Sequence, residues 1–213
     1  EMTLARPVLA LVVMMLMTLP AAAQTAPAPL QQGLTPALLT KLRAGGLNIF
    51  FRHGATLHEK DPVESEIDDP LPGNCALQRN LSREGVEQMR AVGAAFDALE
   101  IPVSVVRASP LCRCTDSAWH AFGRAERDRN LQLNGDTPEG SPSQARPWNY
   151  IRALGKVTPL PMTNAVFVSH SRIGEIFGSD VLMEGEAIII EPDGKGGWSA
   201  LARIEAETWV MPK

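Results

Sequence analysis

The chain has 213 residues, 45% of them hydrophobic and 21% charged, with a formal net charge of -4. That length supports one hydrophobic core of ordinary size rather than two. A mildly acidic balance with no basic stripe argues against a nucleic-acid partner, which would demand phosphate neutralisation, and one Tyr, six Phe and four Trp leave little for a base-stacking surface.

At the start of the chain, Arg6 precedes an apolar run over residues 8–19, then Pro20 and three alanines at 21–23. These are the three parts of a secretory signal peptide, cleaved before Gln24. The competing reading is a membrane anchor, but the uninterrupted run of about 12 apolar residues falls short of the roughly 20 that span a bilayer. The expected organisation is a signal peptide over 1–23, a flexible leader over 24–34 and one domain over 35–213. The expected location is periplasmic or secreted, with no membrane partner after cleavage.

Residues 35–46 read as a short helix closed by glycines, and 47–51, "LNIFF", as a buried strand that stops at Arg52, His53 and Gly54. Residues 59–75, rich in Asp, Glu and Pro, read as a solvated loop. Placed near Arg52 and His53, its charge would disfavour polyanionic ligands. Ser82 offers an N-cap to a helix in which Val86, Met89, Val92, Phe96 and Leu99 recur at helical spacing. Residues 101–109 give a second strand, and 110–123 a second such helix, with Pro110 at its start and Gly123 at its end. Residues 124–162 carry no assignable pattern. Residues 164–171, "NAVFVSHS", read as a third strand, again ending in a histidine, His170, with a short helix over 173–178. Two β-rich runs about Pro192, Asp193 and Gly194 make a hairpin.

Export would place three cysteines in an oxidising compartment. Cys112 and Cys114 lie two apart on a helix and point to different sides, so at most one reaches Cys75. A Cys75–Cys112 bridge would stabilise by about 4 kcal/mol in the chain-entropy account; the alternative is three reduced, buried thiols. The Cys-x-Cys spacing, even with His53 and His58, matches no common zinc pattern.

Strands alternating with helices predict an α/β architecture, with a mainly parallel sheet flanked by helices and a C-terminal β-hairpin. In such sheets the functional crevice lies beyond the carboxyl ends of the strands. Arg52 and His53, Ser109 to Arg113, and His170 therefore share one edge. Two guanidiniums there match the spread charge of a phosphoryl group. A neutral histidine held by a backbone carbonyl is a nucleophile for phosphorus.

The motifs "RHG" at 52–54, "RNLSREGVEQMRAVG" at 79–93, "SPLCRCTDSAWHAFG" at 109–123 and "VFVSHS" at 166–171 resemble, in order and spacing, the histidine phosphatase superfamily of phosphoglycerate mutase-like proteins. With the segment at 185–204, the likeness extends to small exported bacterial members of its first branch. It covers nearly all of residues 45–205. It implies that His53 forms a phosphohistidine, that Arg52 and Arg113 bind the phosphoryl oxygens with Thr56 donating a hydroxyl, and that His170 completes the pocket. A general acid is drawn from the segment after the second motif helix: Asp136, with Glu139 and Asp128 as alternatives. The mutases carry a Ser and an Asn where this chain has Thr56 and Glu59.

The expected activity is metal-independent hydrolysis of a phosphate monoester, with no cofactor. Sugar phosphates, lipopolysaccharide core phosphates and phosphoproteins are the candidate substrates. The alternatives are a phosphoryl-transfer mutase, and a phosphate-binding or envelope interaction module without turnover. Arg79 and His58 read as loop residues, Arg107 as a strand residue and His120 as a helix residue.

Overall fold

The structure is a computed structural model that describes residues 30–57, 74–133 and 142–209. The signal-peptide segment, most of the leader, the acidic loop with His58 and Glu59, and the segment holding Asp136 and Glu139 lie outside these residues.

Among the described residues the chain forms β1 (Gln31–Gln32), α1 (Pro36–Ala44), β2 (Asn48–Arg52), α2 (Arg83–Ala98), β3 (Val103–Ala108), α3 (Cys112–Phe122), β4 (Glu126–Arg127), α4 (Pro142–Leu154), β5 (Asn164–Ser169), α5 (Ile173–Ile176), β6 (Ala187–Pro192) and β7 (Trp198–Ile204). The strands make one sheet in the order β1-β7-β6-β2-β5-β3-β4. β2, β5, β3 and β4 run parallel, whereas β6 pairs antiparallel with both β2 and β7. The fold is thus an α/β mixed sheet, mostly parallel, with a hairpin extending it.

Strand period two explains how β2 divides two cores. Ile49 and Phe51 enter one core with Met89, Val92 and Phe96 of α2 and Ala118 of α3. Phe50 enters the other with Trp148, Ile151 and Leu154 of α4 and Phe177 after α5. Its ring stacks on Phe167 at 4.8 Å and tilts against Phe177 at 4.6 Å. A strand buried on both faces reads as a continuous apolar run, which is why "NIFF" shows no alternation.

The helix ends follow local chemistry. Thr35 and Ser82 accept from the backbone N–H groups of Leu38 and Gly85, capping α1 and α2. Gly123 ends α3 in the left-handed conformation, with φ 66°. Two sequence readings change. The leader is not wholly free, because Gln31 and Gln32 pair in parallel with Ala202 and Arg203 at the sheet edge. Within 124–162 stands a three-turn helix, α4, whose pattern is masked by Pro147 inside it.

Cys75 and Cys112 are joined by a disulfide, and Cys114 is a buried free thiol. The bridge ties the 3-10 turn Cys75–Leu77 to the first turn of α3.

Candidate active site

β2, β5 and β3 are adjacent and parallel, so their carboxyl ends meet. His53 N–H donates to Ser169 O at 3.1 Å, and Ser109 N–H to Val168 O at 2.9 Å, extending the ladders just past the strand ends. These bonds align His53, Ser109 and His170 in one row. Arg113 comes down onto it from the first turn of α3.

His53 is buried, and its Nδ1 lies 2.9 Å from Gly54 O. A carbonyl only accepts, so Nδ1 carries the proton and Nε2 keeps its lone pair. The turn that supplies this carbonyl is fixed from both sides. Gly54 N–H donates to Ser117 Oγ of α3 at 2.9 Å, and Ser117 Oγ donates to Arg113 O at 2.6 Å. A Cβ on Gly54 would meet Gly85 O of α2 at 2.9 Å. Glycine here lets α2 close onto the turn that orients the imidazole.

His170 is buried with its ring centroid 5.8 Å from that of His53. Arg113 Nη2, which can only donate, lies 3.4 Å from its Nδ1. Nε2 therefore carries the proton and donates to Ser109 Oγ at 3.0 Å. Burial, followed by the Arg113 charge, holds both imidazoles well below the ordinary histidine value of 6.5. Both rings are neutral at neutral pH. Cys114, whose Sγ stands 3.8 Å from His170 Nε2, is pushed up to about 12, chiefly by burial, and is a thiol rather than a thiolate.

Arg52 donates from Nη1 to Leu182 O at 2.9 Å and pairs through Nη2 with Glu184 at 3.4 Å. Thr56 Oγ donates to the same Glu184 oxygen at 2.7 Å. One carboxylate thus joins Arg52 and Thr56. Its position before β6 gave no local signal, because the contact spans more than a hundred residues. A cleft of about 510 Å³ opens beside Arg52 and Thr56, lined also by Arg79, Gln88, Glu84 and Glu184. It flanks the histidines rather than covering them.

Asp128 is differently engaged. Its Oδ2 accepts from Tyr150 Oη at 2.6 Å and lies 4.0 Å from Arg107, while its Oδ1 accepts from Asn130. That carboxylate holds the 3-10 turn Arg129–Leu131 to α4 and β3, a structural task. The other two candidate acids, Asp136 and Glu139, fall outside the described residues. No group of three or more His, Cys, Asp or Glu is arranged to hold a metal among the described residues.

The mostly parallel sheet flanked by helices is the phosphoglycerate mutase-like α/β fold, shared with solved phosphatases. Among solved structures, the protein histidine phosphatase SixA complexed with tungstate aligns at TM-score 0.53 and 15% identity, covering 75% of this chain and 97% of SixA. A mutant phosphoserine phosphatase of Entamoeba histolytica in complex with phosphoserine aligns at 0.51 and 14%, covering 77% and 99%. The ecdysone phosphate phosphatase of Bombix mori, complexed with tungstate, aligns at 0.51 and 14%, covering 74% and 92%. No protein-family model and no curated protein matches the chain.

Proposed function

We propose that this protein is a histidine phosphatase that hydrolyses a phosphate monoester through a phosphorylated His53, without a metal. The observation that carries the reading is the His53 imidazole, neutral, with Nδ1 bound to Gly54 O and Nε2 left as a lone pair beside Arg113. Proteins of the same fold that are named a protein histidine phosphatase, a phosphoserine phosphatase and an ecdysone phosphate phosphatase support it.

In the first step Nε2 attacks phosphorus, the P–N bond forms and the P–O bond to the leaving alcohol breaks. The alkoxide takes a proton from a carboxylic acid, for which Asp136 and Glu139 are the candidates. In the second step water attacks phosphorus, the P–N bond breaks and inorganic phosphate leaves, the same carboxylate accepting the water proton. Arg52 and Arg113 meet the charge on the non-bridging oxygens, which is where a loose transition state carries it. Gly54 O and Ser117 keep His53 in its tautomer throughout.

The Cys75–Cys112 disulfide supports a periplasmic or secreted location, since such bonds persist in oxidising compartments. The substrate is a small phosphorylated molecule or group: a sugar phosphate, a lipopolysaccharide core phosphate or a phosphoprotein.

The test is phosphate release from an aryl phosphate with EDTA present, comparing wild type with His53→Ala. Activity that survives EDTA and falls at least a thousandfold in the variant is expected. Equal activity in both proteins would sink the covalent histidine, and phosphate binding without turnover would favour the binding module.

A further inference from the structure

Arg79 stands in the loop between the 3-10 turn and α2, a position that by itself suggests a solvated side chain. The loop is held on two sides. Toward α3, the disulfide is joined by Gln78 Oε1, which accepts from Cys112 N–H at 2.8 Å. Asn80 Nδ2 donates to Cys75 O at 2.7 Å within the loop. Toward β2, Leu57 N–H donates to Asn80 O at 3.2 Å, and Thr56 bridges to Leu81. Arg79 is thus fixed between the segment that follows His53 and the helix turn that carries Arg113.

Arg79 lines the cleft together with Arg52 and Thr56. The Nε atom is buried with no hydrogen-bond partner, and no carboxylate pairs with the side chain among the described residues. Arg52, by contrast, has Glu184. The charge of Arg79 is felt as repulsion at Arg52, His53 and His170 alike. A fixed cation with no carboxylate bonded to it, next to other cations, is costly unless an anion joins them.

We infer that Arg79 is a third guanidinium of the phosphate pocket, contacting the same phosphoryl group as Arg52 and Arg113 and favouring the dianion of a monoester over the monoanion of a diester. This rests on the phosphatase reading and adds a binding residue to it. A second phosphate in the flanking cleft is disfavoured, because Glu84, Glu205 and Glu207 face it.

The experiment is calorimetric titration of inorganic phosphate into wild type, Arg79→Gln, Arg79→Lys and the exposed control Arg83→Gln, with thermal melts of each. The same proteins are assayed on an aryl monoester and the corresponding diester. The expected result is phosphate binding weakened about tenfold or more in Arg79→Gln at pH 8, a smaller loss at pH 5.5 where phosphate is a monoanion, and partial rescue by lysine. KM for the monoester should rise more than kcat falls, with Arg83→Gln unchanged. Phosphate affinity within twofold of wild type in Arg79→Gln, with wild type binding normally, overturns the role of Arg79 alone. If Arg79→Gln melts early, a stable Arg79→Lys decides: phosphate affinity reduced severalfold supports the guanidinium contact, and wild-type affinity overturns it. Absence of phosphate binding in wild type overturns the phosphatase reading and this inference with it.

Discussion

Two regions of the molecule bury charge in opposite ways. On the hairpin side, Arg203 of β7 meets Glu186 in a two-pronged pair, Nε to Oε1 and Nη2 to Oε2 both at 2.6 Å, with Nη1 on Ser179 and the remaining carboxylate lone pair on Met183 N–H. Its charges cancel and its hydrogen bonds close. At the strand ends, Arg52, Arg79 and Arg113 gather around two neutral histidines, and Glu184 bonds to Arg52 and Thr56. The first arrangement is complete without a ligand and belongs to structure. The second brings three guanidiniums to the strand ends, the arrangement on which the proposed phosphate site rests.

The largest effect expected from breaking this contrast is at the closed pair. Arg203→Met strands the Glu186 carboxylate in a site where its side chain is 3% exposed, and should cost roughly 3–5 kcal/mol, read as a lowered urea midpoint. Arg203→Met with Glu186→Leu should recover much of it. A single variant within 0.5 kcal/mol of wild type would mean that Glu186 finds water or another donor.

A smaller effect separates the regions by pH. In the unfolded chain the imidazoles of His53 and His170 protonate near 6.5, whereas in the folded chain burial and the neighbouring arginines keep them neutral well below that. Above about pH 6.5 both states bind the same protons and stability is indifferent to these groups. Below it the unfolded state binds more, so stability falls by up to about 1.4 kcal/mol per pH unit for each histidine. Urea midpoints at pH 7.5, 6.5 and 5.5, compared with a His170→Gln variant of reduced slope, check this. A midpoint that rises on acidification would contradict the buried neutral rings. By the same sign, His53 stays unprotonated at mildly acidic pH.

The smallest effect belongs to an ion pair that is neither closed nor strained by like charge. Lys41 and Glu191 meet at 2.6 Å with side chains 50% and 39% exposed. Lys41→Met should change stability by less than about 1 kcal/mol, and less still in high salt. A larger loss would make this edge of the sheet a cooperative part of the core.

Much of the molecule is legible from the chain alone because its signals are local. Thr35 and Ser82 announce helix starts, Gly123 announces an end, and the apolar runs that stop at Arg52, Ala108 and Ser169 announce strands. A parallel sheet then forces those stops to one edge, so His53, Arg113 and His170 could be nominated before any coordinate was known. What the chain could not decide was set by contacts between distant segments. The reversed β6 between β7 and β2, the strand formed by Gln31 and Gln32, and α4 behind Pro147 depend on packing that local propensity does not encode. The same holds within the site: Glu184 reaches Arg52 and Thr56 across more than a hundred residues, and Arg79 is turned from a loop residue into a pocket residue by a disulfide and one glutamine. Sequence determined which groups stand at the strand ends, because period and capping act over a few residues. Tertiary structure decided which charges are cancelled and which are left for a ligand, because that balance depends on every segment that reaches the pocket.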